Sequence, residues 1–502
     1  MPTDHPRGLA SNHWNPYDVP MEPPRGESSV RADRTGGGEG ESGLVSRSVR
    51  VEAPPFRAVV AAADSPRVVW AAPGEATVVG SGAAATLTAA GADRFTAIRD
   101  AAADLFASGD VHAGTLAARP RLFGGSAFHD EHDGTAPWTG YPAAGFLLPR
   151  VQVTYTGTDP TTGDPDTGDE AWLTVTAAGP DASPEAVEAR LADARTAIES
   201  LPEPDPVAAP PGVADRRRTT DRDAWHDSVN ATLARIEAGD LRKVVLAQAL
   251  EADLERPLDI PATLTRLAGR YPDCYRFLLE PIYPADGASD PGGDGTGDGR
   301  PGFFGATPER LVDLTGRTVE TGALAGTTGR GETPAEDEWL ARELLHDDKN
   351  AHEHGIVADA IRDQLAPYAA SVATGERGIR RLATVQHIET PITAELDADH
   401  HVLDLVEALH PTPAVGGLPP DRALRTIRDT EPFDRGWYAA PVGWFDAAGH
   451  GSFAVAIRSA VASPDEERVT LFAGVGLVTD SDPDREWDEV QLKYRPILDE
   501  LE

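Results

Sequence analysis

The residues predict a fold that mixes strands and helices, on three observations. Gly451-Ser452-Phe453-Ala454-Val455-Ala456-Ile457-Arg458 alternates with the period of a strand, Phe453, Val455 and Ile457 on one face and Ser452, Ala454, Ala456 and Arg458 on the other. Trp225, Val229, Leu233 and Ile236 recur at helical spacing between a capping Asp221 and a terminating Gly239. At 471–478 a strand runs through a short turn into a helix start, where Ser481 or Asp482 can cap free amides and Pro483 suits the first position.

Composition bounds the rest. A chain of 502 residues can bury a large core, and its 82 Asp and Glu against 45 Lys and Arg give a formal charge of −37. Such a balance disfavours nucleic acid and anionic membranes as partners, and it resembles proteins adapted to high salt. One cysteine, Cys274, excludes an internal disulfide and a cysteine zinc cage and fits a reducing compartment. No apolar run approaches the roughly 18 residues of a membrane span, and no signal-peptide core opens the sequence. The expectation is a soluble cytoplasmic protein.

In order along the chain, residues 1–44 are rich in Pro, Gly, Arg and Glu without periodicity and read as a disordered tail. The run Gly36-Gly37-Gly38-Glu39-Gly40 is low complexity, because a dinucleotide fingerprint needs a strand before it and a helix after. The apolar runs 57–61 and 67–71 read as strands and 93–106 as a helix. A strand at 120–128 turns through Gly124 and Gly125, and another starts at 145. Residues 159–170 form an acidic loop, read as a solvated hairpin tip, with only a faint likeness to a calcium loop. A helix follows at 184–200, capped by Ser183 with Pro184 at its first position. We therefore divide the chain into an N-terminal accessory region at 45–201, a proline-rich linker at 202–220 and the region bearing the chemistry at 221–502. Within the last, a Gly/Asp-rich surface insertion occupies 285–301, and no repeat is visible.

Several residues could do chemistry. Lys243 opens an otherwise apolar strand; such a lysine either snorkels to water or, in apolar surroundings, loses its proton and becomes a general base. Phe303 to Glu309 is a strand ending in a Thr-Pro turn that projects one carboxyl, which a dry pocket would turn into a proton donor. Residues 321–330 read as a small-residue loop whose amides could cradle an anion, without the ending of a nucleotide P-loop. Thr333-Pro334-Ala335-Glu336 has the capping-box form. Beyond it, Leu345, Lys349, His352, Ile356 and Ala360 form one helical stripe with Glu353 beside it. Far downstream, Glu486, Glu489, Val490, Lys493 and Ile497 share another. Carboxylates on inward stripes cost free energy unless paired or bound to something. Glu353 and Glu489, on distant helices, are the sparse oxygen set that Mg²⁺ accepts, whereas the His-x-His near Glu353 lacks the spacing of a zinc helix. Arg458, among small residues, could hold a ligand carboxylate or sit in an internal salt bridge.

Taken in order, Lys243-Val-Val-Leu-Ala, Gly305-Ala-Thr-Pro-Glu309, Leu324-Ala-Gly-Thr327, Lys349-x-x-His-Glu353-His, Leu409-His-Pro-Thr-Pro413, Glu431-Pro-Phe-Asp-Arg435, Ala456-Ile-Arg458, Phe472-Ala-Gly-x-Gly476 and Glu486-Trp-x-Glu489 resemble the chorismate-utilising enzymes. That family includes anthranilate, aminodeoxychorismate, isochorismate and salicylate synthases, and the resemblance covers 223–502. Members that add ammonia usually carry glutamine at the place of Lys243, and aminodeoxychorismate synthases often carry a nucleophilic lysine at that of Ala325. The pair found here resembles isochorismate synthase, and the wording from Arg435 to Trp444 looks most like the menaquinone-type branch.

The resemblance implies an α+β fold of large, mainly antiparallel sheets packed as a sandwich and flanked by helices, as in anthranilate synthase component I. It implies that Lys243 takes a proton from water attacking ring C2 while Glu309 protonates the hydroxyl leaving C4. Mg²⁺ would sit on Glu353 and Glu489, with Glu486 acting through water. Arg458, Lys493, Thr327 and the amides near Gly326, Gly474 and Gly476 would hold the dianionic chorismate, with His410 and Thr412 in the pocket wall. No glutamine amidotransferase subunit is expected, and the chain is expected as monomer or homodimer. The rivals are a salicylate synthase, an ammonia-dependent lyase and a salt-adapted binding protein without catalysis.

Overall fold

The computed structural model describes residues 30–34, 43–157, 159–160, 170–180, 182–282 and 301–502. Most of the expected tail, of the acidic loop 159–170 and of the insertion 285–301 lies outside them. Part of the tail does not: Val30–Arg34 is a strand paired with Thr77–Ala89, and the next strand already begins at Leu44. A distant partner strand decides this, and a local pattern cannot show it.

Pairing runs through two limbs of antiparallel strands. The first passes in turn through Val213–Arg218, Lys243–Leu254, Arg468–Leu477, Ser459–Ala462, Gly302–Thr307, Tyr275–Leu279, Val68–Ala71 and Thr77–Ala89. The second passes through Ala144–Tyr155, Arg121–Ser126, Pro441–Asp446, Gly451–Val455, Arg310–Thr315, Thr318–Gly329 and Val385–Leu396. Thr77–Ala89 pairs with Ala144–Tyr155 and so joins the limbs, while Leu44–Glu52 pairs in parallel with Gly109–His112. The fold is thus mostly antiparallel sheet, and ten α-helices pack around it among the described residues. None of those helices is long and apolar enough to cross a membrane.

Two of the crossings that the chain makes between limbs touch. Thr307-Pro308-Glu309 leads from Gly302–Thr307 into Arg310–Thr315, and Ala456-Ile457-Arg458 leads from Gly451–Val455 into Ser459–Ala462. The Val455 N–H donates to the Glu309 carbonyl at 2.9 Å, the Ala306 N–H to the Arg458 carbonyl at 3.2 Å, and Thr307 Oγ1 to the Val455 carbonyl at 2.6 Å. Arg458 sits at φ 51°, a left-handed conformation uncommon outside glycine, so the strand predicted through residue 458 ends at Val455.

The N-terminal residues are built into the same core. Trp138 stacks on Phe472 at 5.4 Å between ring centres and meets Phe303 edge-on at 5.0 Å. Val68–Ala71 and Arg121–Ser126 pair with strands from beyond residue 270. The expected linker 202–220 itself carries the strand Val213–Arg218, whose arginine-rich sequence hides its role as an exposed edge.

Several caps form as expected: Ser183, Asp221, Thr333 and Asp482 each accept a backbone N–H three residues on. The capping box at Thr333 is incomplete, since the Glu336 carboxylate takes the Glu332 N–H. Three local readings need correction. The run at 57–61 lies in a helix, Phe56–Ala62, because a short apolar run with Pro55 before it suits either state. The expected loop at 321–330 is mostly strand, Thr318–Gly329, its small residues paired with Val385–Leu396. The helix begun at Pro334 ends at His346, and Asp347 starts a second one, Asp348–Leu365, with its carboxylate on the Asn350 N–H. That break turns the stripe: Glu353, Ile356 and Val357 are buried and His352 is exposed.

Candidate active site

A cavity with about 880 Å³ of atom-free space, mouth included, lies between the limbs. Lys243, Val245, Gly474 and Gly476 line it from the first limb, and Gly326, Thr327 and His387 from the second. Glu309 and Arg458 enter from the two crossings. The helices Asp348–Leu365 and Pro483–Leu498 bring Lys349, Glu353, Glu486, Glu489 and Lys493. Except for His410 and Thr412, the residues expected to share a site, from Lys243 to Lys493, are brought around this cavity.

Lys243 is 1 % exposed and so does not snorkel to water. Its Nζ meets Glu353 Oε1 at 2.9 Å, because the Asp348–Leu365 helix lies across Gly476. A Cβ on Gly476 would come within 2.5 Å of Glu353 Oε1 and 2.9 Å of Lys243 Cε, so glycine there admits the pair. Burial alone would raise the Glu353 carboxyl. Lys243, with Lys493 and Lys349 beyond it, holds it below its ordinary value.

Glu309 has the opposite fate. Burial pushes its carboxyl up to about 7, against the pull of Lys243, Lys493, Arg458 and the Thr412 hydroxyl. Thr412 Oγ1 is buried with no well-formed hydrogen bond among the described residues, so its help is electrostatic more than a made bond. At neutral pH Glu309 is poised to give a proton to a partner in the cavity.

The three glutamates each face a lysine: Glu353 faces Lys243, Glu486 faces Lys349 at 3.0 Å, and Glu489 faces Lys493 at 2.8 Å. Burial, then Glu489, raises the Glu486 carboxyl. Two like charges side by side, in an all-oxygen donor set on one wall, suit a hard divalent cation. Their oxygens are not drawn together within 4.8 Å; among the described residues only His132, Asp133 and Asp434 are. There both ring nitrogens of His132 are already used, by Asp434 at 2.5 Å and the Tyr141 carbonyl at 2.9 Å.

Anion-binding groups occupy the far side. Gly326, at φ 80°, sits in a bulge of its strand between Ala325 and Thr327, so the expected cradle is an irregularity inside a sheet. Lys493 Nζ donates to the Gly474 carbonyl at 3.0 Å. Arg458 is buried, one Nη hydrogen-bonded to His387 Nε2, while Nη1 has no partner among the described residues. Burial, then Arg458, holds His387 well below its ordinary pKa, so the ring is neutral and its Nδ1 side faces Thr327 Oγ1 at 3.1 Å.

His387 is the main residue missed in sequence. Its signal was a lone histidine on the face opposite the buried Ile388, Ile392 and Ala394. Asn350 and Tyr438 also line the cavity unforeseen. His410, expected in the wall, does not reach it: its Nε2 bonds the Phe128 carbonyl at 3.2 Å, edge-on to the Phe128 ring. It supports the loop that carries Thr412, which sits behind Glu309 and not in the wall itself.

Comparison with known proteins agrees with this geometry. The family model described as chorismate binding enzyme matches residues 34–502. The isochorismate synthase MenF of Bacillus subtilis is 33 % identical over 389 residues, 77 % of this chain and 75 % of that protein. The solved menaquinone-specific isochorismate synthase MenF of Escherichia coli is 25 % identical with a TM-score of 0.69, over 91 % of this chain and 95 % of that one. Anthranilate synthase component I of Streptococcus pneumoniae, 19 % identical, shares the fold at a TM-score of 0.62 over 90 % of this chain and 92 % of that one.

Proposed function

Since the chain belongs to the family of chorismate-binding enzymes, we propose that it is an isochorismate synthase, turning chorismate into isochorismate in the cytoplasm for menaquinone formation. The observation that carries this is the placing of Lys243 and Glu309 in one cavity, the carboxyl raised to about 7.

Water adds at C2 and gives its proton to Lys243, which acts as the base. The ring double bonds shift, the C4–oxygen bond breaks, and the departing hydroxyl takes the Glu309 proton to leave as water. Each proton transfer of this kind is worth about 10²–10⁴ in rate. The unpartnered Nη1 of Arg458, with Lys493 and the bulge at Gly326, receives substrate carboxylate, and neutral His387 keeps the guanidinium in place. Glu353 and Glu489, with Glu486 behind, would hold Mg²⁺, which when bound supplies the positive charge that fixes the ring carboxylate. Lysine in place of glutamine at 243, and alanine at 325, support water over ammonia as nucleophile and a chain that works without an amidotransferase subunit.

The test is chorismate with Mg²⁺ and purified protein, products identified by chromatography. Isochorismate is expected; EDTA should stop its formation, and Lys243→Ala and Glu309→Gln should each slow it by about 10²–10⁴. Unchanged chorismate at every salt concentration up to molar overturns the reading. Salicylate and pyruvate would move it to salicylate synthase, and anthranilate formed with ammonium to an ammonia-dependent lyase.

A further inference from the structure

The strand Lys243–Leu254 has a continuous partner along only one edge, where Arg468–Leu477 pairs with it from Val244 to Asp253. Along the other edge the cover is patchy. Gly417–Leu418 pairs with Lys243 and Val244, and the Gly416 carbonyl takes the Val245 N–H at 2.8 Å. Val213–Arg218 begins only opposite Leu250, with Thr219 serving Ala249. Between these, no strand among the described residues faces the Val245 carbonyl or the Ala247 N–H. Buried backbone groups left so would each forfeit the hydration they had in the unfolded chain with nothing in its place.

Two side chains take the missing strand's place. Arg435 Nη2 donates to the Val245 carbonyl at 2.9 Å, and Glu431 Oε1 accepts the Ala247 N–H at 2.7 Å. They are locked to each other by Arg435 Nη2 to Glu431 Oε1 at 2.5 Å and Nε to Oε2 at 2.8 Å. A further bond from Arg435 Nη1 reaches the Val415 carbonyl at 2.8 Å. One ion pair therefore grips both the strand that starts at Lys243 and the loop that holds Thr412 behind Glu309.

Stability alone is a poor reason for such a pair. Its side chains are 1 % and 2 % exposed, and replacing a buried pair with apolar residues of similar size is often neutral or stabilising. Burial outweighs even Arg435, leaving the Glu431 carboxyl above its ordinary value. What the pair supplies is geometry. Val245 and Val415, whose carbonyls it holds, both line the cavity, and Lys243 lies two residues from the gripped carbonyl on the same side of the pleat.

We infer that Glu431 and Arg435 are positioning residues that complete the edge of the Lys243 strand and set the lysine against Glu309. This rests on the reading of Lys243 and Glu309 as the proton-transfer pair. A displacement on the order of 1 Å at such a site can cost about 10²-fold in rate.

Glu431→Gln tests it, since the amide still accepts from Ala247 but no longer holds the arginine fork by charge. Measured well below the unfolding temperature and per folded molecule, its kcat should fall about 10–10²-fold with the chorismate KM within about twofold. Amide exchange by mass spectrometry should rise in the segment 244–249 and not in 470–477. Arg435→Lys, which keeps the charge and loses the fork, should not restore exchange protection there. A kcat per folded molecule equal to wild type overturns the inference, as does an exchange rise spread through the molecule or protection fully kept in Arg435→Lys. Exchange needs no turnover: wild-type protein inert toward chorismate would sink the reaction, and the exchange pattern would still judge the clamp. Should Glu431→Gln fail to fold, Arg435→Lys decides by the same two measurements.

Discussion

Glu309 separates what a carboxyl does for catalysis from what it does for stability. Its ordinary pKa is near 4.5, and burial lifts it to about 7. Below 4.5 it is protonated whether the chain is folded or not, and it costs nothing. As pH rises from 4.5 to 7 the unfolded chain releases the proton and the folded one keeps it, so stability falls with pH and the loss is complete above about 7. Glu309→Gln lacks this burden. Urea unfolding should show the variant gaining on wild type by on the order of 2–3 kcal/mol between pH 5 and pH 8, and a constant difference would show that the carboxyl is solvated. In kcat/KM, which reports the free enzyme, wild type should decline above about pH 7 as the acid is lost, and the variant should be slower by about 10²–10⁴. Gly476 makes a complementary case. Its missing Cβ faces the ends of two flexible side chains, Glu353 and Lys243, so Gly476→Ala can be accommodated by displacing them. The expected variant keeps its unfolding temperature within a few degrees and loses isochorismate formation; full activity would mean that the pair does not need its present place.

Elements set by short-range chemistry were legible, and those set by long-range pairing were not. Asp482 with Pro483, and the 3.6-residue spacing of Glu486, Glu489, Val490 and Lys493, place the last helix and its inward face from sequence alone. The alternation at Gly451 to Val455 likewise gives the strand, though not its end, because Arg458 leaves the ladder in a left-handed turn that only the neighbouring crossing explains. The anion cradle at Gly326 looked like a loop because small residues weaken the strand signal, and its partner lies some sixty residues downstream. His387 and the Glu431–Arg435 clamp stayed hidden for a similar reason: what they touch is decided by pairing between limbs. The stripe from Leu345 to Ala360 implies one unbroken helix, whereas Asp347 caps the start of the helix that carries Lys349, Asn350 and Glu353. Its carboxylate accepts from the Asn350 N–H at 2.8 Å and the Asn350 side chain at 2.7 Å, so it orders the turn next to the cavity. Asp347→Ala should cost about 1 kcal/mol in urea unfolding, the usual worth of a cap, and should raise the Mg²⁺ concentration needed for half-maximal activity. A stability loss with an unaltered Mg²⁺ requirement would separate the cap from the metal wall.

At the scale of the whole molecule the balance lies between paired and unpaired charge. Surface pairs are plentiful, among them Arg217 with Asp253 at 2.7 Å and Arg495 with Asp499 at 2.6 Å, and Arg216 meets Glu502. Exposed pairs of this kind contribute only about 0–1 kcal/mol each and weaken in salt. Acids outnumber bases by 37, however, so at least 37 of the 82 acidic side chains have no base to pair with, and their mutual repulsion opposes the compact state. The screening length shortens from about 10 Å at 0.1 M salt to about 3 Å at 1 M. Because exposed pairs contribute so little and the net charge is so large, screening should remove more repulsion than attraction, and the unfolding temperature should rise steadily as NaCl is raised over that interval. The buried contacts of the active site stand outside this effect: Lys243 with Glu353 and Arg435 with Glu431 are closed to bulk ions. Calorimetry at several NaCl concentrations, with sucrose at matched osmolality as control, tests the argument. An unfolding temperature that stays flat or falls with NaCl, or rises equally in sucrose, would mean that the excess of carboxylates is too dispersed to burden the fold. A rise specific to salt should come with a kcat for chorismate that changes little, since the groups that move protons are inside.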